Sequence, residues 1–86
     1  MFFVYILKSV RDGNLYIGST NNLKRRVEEH NLGKSQSTKP RIPFKLVYYE
    51  AYGAESDARK REHNLKLHAR ALAQLKQRLE DTLQLD

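Results

Sequence analysis

At 86 residues the chain has the length of one small domain, which buries only about 60% of the surface its unfolded state exposes, so a second domain is excluded and the core is small. The lack of cysteine excludes disulfides and thiolate metal sites and fits a reducing compartment. A net charge of +6 and a pI near 9.8 favour polyanionic partners, nucleic acid foremost, through counterion release. The excess is uneven: residues 1–50 hold nine Lys/Arg against four Asp/Glu, and residues 51–86 hold seven against six.

Phe2 to Lys8 is rich in β-branched and aromatic residues and predicts a strand; Leu15 to Ser19 predicts a second. Asp12-Gly13-Asn14 between them tolerates positive φ, which predicts a hairpin. Met1 to Leu7 is apolar but far shorter than the roughly 20 residues a membrane span needs, and no basic segment precedes it. The expectation is a soluble cytoplasmic protein with no membrane partner. Asn21 or Asn22 can cap a helix that runs to about Leu32, with Gly33 placed to end it. On that helix Leu23 and Val27 face inward, while Arg26 and His30, four residues apart, share one side.

Gly33 to Pro43 is polar, carries both prolines and reads as an exposed loop. Phe44 to Glu50 predicts a third strand. From Ala54 onward there is neither Gly nor Pro, and Glu55 or Ser56 opens a helical run. Ala58, Leu65, Leu72, Leu75, Leu79 and Leu83 recur along it at helical intervals, giving one helix or two with a break near His68. The predicted fold is α+β: a small three-stranded antiparallel sheet flanked by about three helices, one domain over 1–86 with a C-terminal helix at about 69–83.

The triplets Val4-Tyr5-Ile6 and Tyr16-Ile17-Gly18, followed by Arg26, His30 and Glu62, resemble the active-site pattern of the GIY-YIG nuclease superfamily. The resemblance covers about residues 2 to 67. It is similar to the small stand-alone bacterial branch and to the nuclease domain of the nucleotide-excision repair endonuclease. The first triplet departs from Gly-Ile-Tyr, as in that small branch. The family's asparagine about a dozen residues past the glutamate falls at Gln74, whereas Asn64 lies only two residues past it, so that amide is left unassigned.

What the resemblance implies is a metal-dependent endonuclease hydrolysing phosphodiester bonds in DNA, with a role in repair or recombination. Glu62 would hold Mg²⁺ or Mn²⁺, an oxygen-liganded ion that retains waters and contacts phosphate and leaving oxygen. Arg26, ten residues after the second tyrosine, would clamp the scissile phosphate with a forked, permanent charge; its neighbour Arg25 points about 100° away on the helix. Tyr5 takes the place of the base or water-orienting phenol, and Tyr16 of the phenol that orders nucleophile and phosphate. A free phenol titrates near 10, so Tyr5 needs a cation or a proton acceptor beside it, and Arg26 and His30 are the candidates.

Affinity for nucleic acid is expected from Lys34, Lys39, Arg41 and Lys45, clustered with Ser35, Gln36, Ser37 and Thr38 on a mobile loop that follows the phosphate backbone. A binding domain of the same fold with little turnover is the second reading. In a third, Leu72, Leu75, Leu79 and Leu83 form a dimer or partner seam rather than core cover. The oligomeric state is left open.

Overall fold

β1 (Phe2–Ser9) is the middle strand, between β2 (Leu15–Thr20) and β3 (Phe44–Tyr52), and both of its pairings are antiparallel. This is a computed structural model, which describes residues 1–85. Because β1 is covered on both faces, Val4, Tyr5, Ile6 and Leu7 are all buried, and the strand reads as a continuous apolar run rather than an alternating one. Opposite β1, the register of β3 slips between Ile6, paired with Tyr48, and Leu7, paired with Leu46. The extra residue is Val47, and this bulge lets Val47 and Tyr48 both pack on the same core.

One face of the sheet carries Val4, Ile6 and Ile17 and is covered by α2 (Glu55–Leu67) through Ala58 and Leu65, and by α3 (Ala69–Arg78) through Leu75. The other face carries Tyr5, Leu7 and Tyr16, packed with Phe44 under Leu23 and Val27 of α1 (Leu23–Asn31). Asn22 caps α1, its Oδ1 accepting from the Arg25 amide at 3.1 Å. The far end is fixed by a reciprocal pair: Asn31 Nδ2 donates to the Phe44 carbonyl at 3.0 Å, and the Phe44 amide donates to Asn31 Oδ1 at 2.7 Å. His30 is thereby held at the start of β3.

The segment after α1 departs from the expected mobile loop. Gly33 at φ +76° reverses the chain, and a 3₁₀ turn forms over Lys39–Arg41. Ser9 Oγ then donates to the Arg41 carbonyl at 2.6 Å, and the Val10 amide donates to the Pro43 carbonyl at 2.8 Å. Thr38 is fully buried. The loop is stitched to the β1–β2 turn because its polar side chains find partners there that the sequence does not reveal.

The C-terminal run is also more broken than a helix over 69–83. His68, at φ −117° and ψ 98°, separates α2 from α3, and Leu79, at φ −114° and ψ 18°, separates α3 from α4 (Glu80–Gln84). The second break folds Leu83 back onto the core, where its carbonyl accepts from Lys8 Nζ at 2.6 Å. Leu75 and Leu79 are buried, and Leu72 and Leu83 pack beside them. These leucines are core cover, so the seam reading is set aside.

Candidate active site

β2 is an edge strand, and the predicted site is built around its free edge. Tyr5 and Gly18 are register partners. A Cβ at residue 18 would lie 2.5 Å from Cζ of Tyr5, so only glycine lets the phenol lie across β2. Tyr16 belongs to the same face, its ring 6.4 Å from that of Tyr5 and 5.0 Å from that of His30.

The Tyr5 hydroxyl meets Nε2 of His30 at 2.9 Å, and Nδ1 of His30 meets Oγ1 of Thr38 at 2.8 Å. Both ring nitrogens are therefore occupied inside the protein. Burial pushes the Tyr5 phenol up to about 12, against the lowering influence of the Arg26 guanidinium. This corrects the expectation that neighbouring cations favour the phenolate: burial of the ring outweighs them. Burial, with Arg26 nearby, pushes the His30 imidazolium below its ordinary range. At neutral pH the pair is a protonated phenol beside a neutral imidazole, a donor facing an acceptor.

Arg26 is half-buried beside Tyr5, although its directed hydrogen bond runs to Glu29 Oε1 at 3.3 Å. Glu62 comes from the opposite side of the sheet. Ser19 of β2 donates to its Oε1 at 2.7 Å, and Lys66 donates to its Oε2 at 2.7 Å. Burial acts to raise the Glu62 pKa, but the bonds from Lys66 and Ser19 overcome it, and the carboxyl stays below its ordinary range. Lys66 also stands 5.9 Å over the Tyr16 ring, which links the two sides of the strand edge.

Tyr5, Tyr16 and His30 are thus in mutual contact, Arg26 lies beside them, and Glu62 reaches the same strand edge from α2. Lys34, Lys39 and Lys45 are exposed. Arg41 differs: its Nε donates to Asp12 Oδ2 at 2.8 Å and its guanidinium lies over the Phe44 ring, so much of its charge is spent inside the fold. Gln74 is exposed on α3, and Asn64 lines a separate depression with Tyr52, Arg61 and His68. Sequence reasoning missed Ser19 and Lys66, named Gly18 only within its triplet and set Thr38 on the nucleic-acid loop rather than against His30. Lys66 carried a visible signal, lying four residues after Glu62 on a helix.

Among the described residues no three His, Cys, Asp or Glu side chains converge on one point. His30 is closed to a metal, both nitrogens being taken. A divalent ion would rest on the single Glu62 carboxylate and on water, which fits Mg²⁺ or Mn²⁺ carried largely by substrate phosphate and is too few protein donors for a closed site.

An α+β domain with two neighbouring phenols, an arginine and a helix-borne glutamate around one strand edge has the form of a nuclease-type domain. The sequence pattern of the GIY-YIG catalytic domain matches residues 1–78, beyond the expected 2–67 and through α3. A UPF0213 protein of Staphylococcus aureus strain Mu3 is 46% identical over 69 residues, covering 79% of this chain and 83% of that protein. The UPF0213 protein of strain NCTC 8325 matches with the same figures. The solution NMR structure of a UPF0213 protein from Bacillus halodurans superposes with a TM-score of 0.53 at 37% identity, covering 87% of this chain and 82% of that one. The chain belongs to the GIY-YIG family, in its small UPF0213 group. GIY-YIG domains are nuclease-type domains that act on nucleic acid and in general use divalent metals. None of the helices in the described residues is long and apolar enough to cross a membrane.

Proposed function

We propose that this domain is a divalent-metal-dependent endonuclease that hydrolyses phosphodiester bonds in DNA, acting in repair or recombination. The observation that carries this reading is the buried contact between the Tyr5 hydroxyl and His30 Nε2, with Arg26 beside it and Glu62 across the edge of β2. Tyr5 takes a proton from the attacking water while passing its own to His30 Nε2. Because the phenol stays protonated to about 12, it acts through this concerted exchange and not as a standing phenolate.

The imidazolium so formed lies near Arg26, a like charge that disfavours it in the free protein. A scissile phosphate bound by Arg26 supplies the compensating negative charge, so proton transfer is favoured only when substrate is present. Arg26 must then exchange Glu29 for phosphate oxygens. Tyr16, at the rim of the same cluster, orients the water and a phosphate oxygen. Glu62 would hold Mg²⁺ or Mn²⁺, which when bound neutralises charge on the phosphate and the leaving 3′ oxygen. Ser19 fixes the carboxylate for that task, and Lys66 must give up its bond to Oε2.

A second reading, nucleic-acid binding with little turnover, is favoured by one observation: both Glu62 oxygens are already engaged. Cleavage of labelled single-stranded, duplex, nicked, flap and four-way-junction DNAs and of RNAs, with Mg²⁺ or Mn²⁺, decides between the two. Tyr5→Phe, Arg26→Ala and Glu62→Ala, each folded, should abolish cutting of the preferred DNA. Metal-independent binding with no cutting by the wild type would select the second reading.

A further inference from the structure

We infer that Thr38 is a positioning residue: its hydroxyl fixes His30 as the Nδ1–H tautomer and leaves Nε2 bare toward the Tyr5 hydroxyl. The consequence for cleavage rests on the nuclease reading; the tautomer itself rests only on hydrogen bonds. Thr38 Oγ1 has two partners, His30 Nδ1 at 2.8 Å and the Ser35 carbonyl at 3.4 Å. A carbonyl can only accept, so with the hydroxyl proton turned to Ser35 a lone pair faces His30. Nδ1 must then carry the ring proton, and in a neutral imidazole Nε2 is the acceptor. At the other end the Tyr5 phenol is flanked by Arg26, which offers donors only. An arginine cannot accept the phenolic proton, so that proton is free to point at Nε2. The two ends thus orient the chain of donors in the same direction, from Tyr5 through His30 to Thr38 and Ser35.

The fold holds Thr38 there with backbone bonds. The Thr38 and Lys39 amides donate to the Ser35 carbonyl at 3.2 and 2.9 Å, and the Arg41 amide donates to the Thr38 carbonyl at 2.9 Å. Gly33 reverses the chain after α1 at φ +76°, so that residue 38 returns beneath the helix it left. The whole Thr38 side chain is buried, and no buried side-chain nitrogen or oxygen among the described residues lacks a partner. In the opposite tautomer an N–H would point at the Tyr5 oxygen, and the imidazole would have no lone pair to receive the phenolic proton. General-base chemistry at Tyr5 would then stop at the phenol.

The test is ¹⁵N NMR of the histidine rings at about pH 8, above the ordinary titration of imidazole, with the exposed His63 and His68 as internal references. Wild-type His30 should show a protonated Nδ1 and a bare Nε2, and Thr38→Ser should keep that pattern. Thr38→Val, which keeps the shape but offers no acceptor, should move His30 toward the Nε2–H form. Turnover on the preferred DNA should then fall by about 100-fold in kcat, the lower end of the range for losing general-base catalysis, with KM changed less than about 2-fold and with Thr38→Ser near wild type. A wild-type His30 in the Nε2–H form overturns the inference without any variant. A folded Thr38→Val protein whose tautomer or kcat is unchanged overturns it as well. If the wild type cleaves nothing, the nuclease reading fails, and the ring nitrogens alone decide the role of Thr38.

Discussion

Tyr5 and Gly18 face each other across β1 and β2, and the phenol occupies the space a side chain at residue 18 would need. The glycine of the second triplet therefore serves the tyrosine of the first. Gly18→Ala should displace the ring, at the roughly 1–3 kcal/mol typical of overpacking, which in a domain of this size is about 4–8 °C of Tm per kcal/mol. The displaced hydroxyl would leave His30 Nε2, so cleavage should fall more than stability does. Thermal unfolding followed by circular dichroism, beside the cleavage assay, checks this; a cooperative variant with wild-type Tm and activity would show that the phenol has room elsewhere.

His30 and Tyr5 make opposite predictions with pH. The His30 pKa is depressed in the folded state by burial, so its neutral form contributes stability that is fully present above about 6.5, the unfolded value. That contribution is lost as pH falls through the lower, folded value. The acid limb of kcat/KM should likewise lie below about 6.5, since only a neutral imidazole accepts the proton. The Tyr5 pKa is raised to about 12, so its contribution is complete below about 10 and is lost as pH rises from there through the folded value. No gain in activity from phenolate should appear between about pH 8 and 10. Urea unfolding and initial rates over this range test both signs, and Tyr5→Phe should remove a late-titrating phenol from the absorbance at 295 nm.

Glu62 and Lys66 form an i, i+4 pair at the strand edge. Glu62→Gln keeps an oxygen for Ser19 but carries no charge for a cation. Cleavage should drop by about 10²- to 10³-fold, as for loss of one electrostatic stabiliser in an active site. Stability should change by less than about 1 kcal/mol, the measure of an exposed pair. Lys66→Met removes the resident ammonium and should tighten Mn²⁺ binding, read by electron paramagnetic resonance. Tightening that persists in Lys66→Met/Glu62→Gln would mean that Mn²⁺ binds elsewhere.

The three strands, the first helix with its Asn22 cap and Gly33 terminus, and the cluster of Tyr5, Tyr16, Arg26, His30 and Glu62 were all legible because each rests on local propensity or on an ordered spacing. Gly18 was legible only as part of a motif, since its purpose depends on the β1–β2 register. Thr38 was not legible: a threonine in a run of Ser, Gln and Lys carries the composition of a solvated loop, and only the return of the chain beneath α1 buries it. Arg41 misled for a related reason, its Asp12 partner lying 29 residues earlier in the β1–β2 turn. The break at Leu79 contradicts an unbroken leucine period and turns Leu83 back onto the core.

Glu50 separates structural from catalytic charge. Its carboxylate accepts from the hydroxyls of Tyr48 and Tyr52 and from Arg61, whose Nε reaches Oε1 at 3.0 Å and whose Nη2 reaches Oε2 at 3.1 Å. This ties β3 to α2. Burial acts to raise its pKa, and Arg61 with the two phenols overcomes that and lowers it. The tie is therefore present above the ordinary carboxyl value and is lost as pH falls through the lower, folded one. Glu50→Gln should cost about 1–3 kcal/mol by leaving polar groups underpaired, while per-molecule cleavage by the folded fraction stays near wild type. A loss of kcat without a loss of stability would place Glu50 in the chemistry instead.

The polar segment after α1 also predicts which cations meet nucleic acid. Lys34, Lys39 and Lys45 are exposed and make no ion pair among the described residues, whereas Arg41 is paired with Asp12 and packed on Phe44. A lysine that neutralises a duplex phosphate contributes about 0.9 to the slope of log K against log salt. The triple variant Lys34→Gln/Lys39→Gln/Lys45→Gln should flatten the slope by about 0.9 for each lysine in contact, up to about 2.7, with little change in Tm. Arg41→Ala should do the reverse. It leaves Asp12, held below the ordinary carboxyl range chiefly by Arg41, without its partner and frees the loop, lowering Tm while moving the slope little. Binding of a fluorescent duplex in EDTA from about 50 to 200 mM salt measures both effects without turnover. An unchanged slope in the triple lysine variant would remove this segment from the nucleic-acid surface and leave Arg26 and the strand edge to supply the affinity.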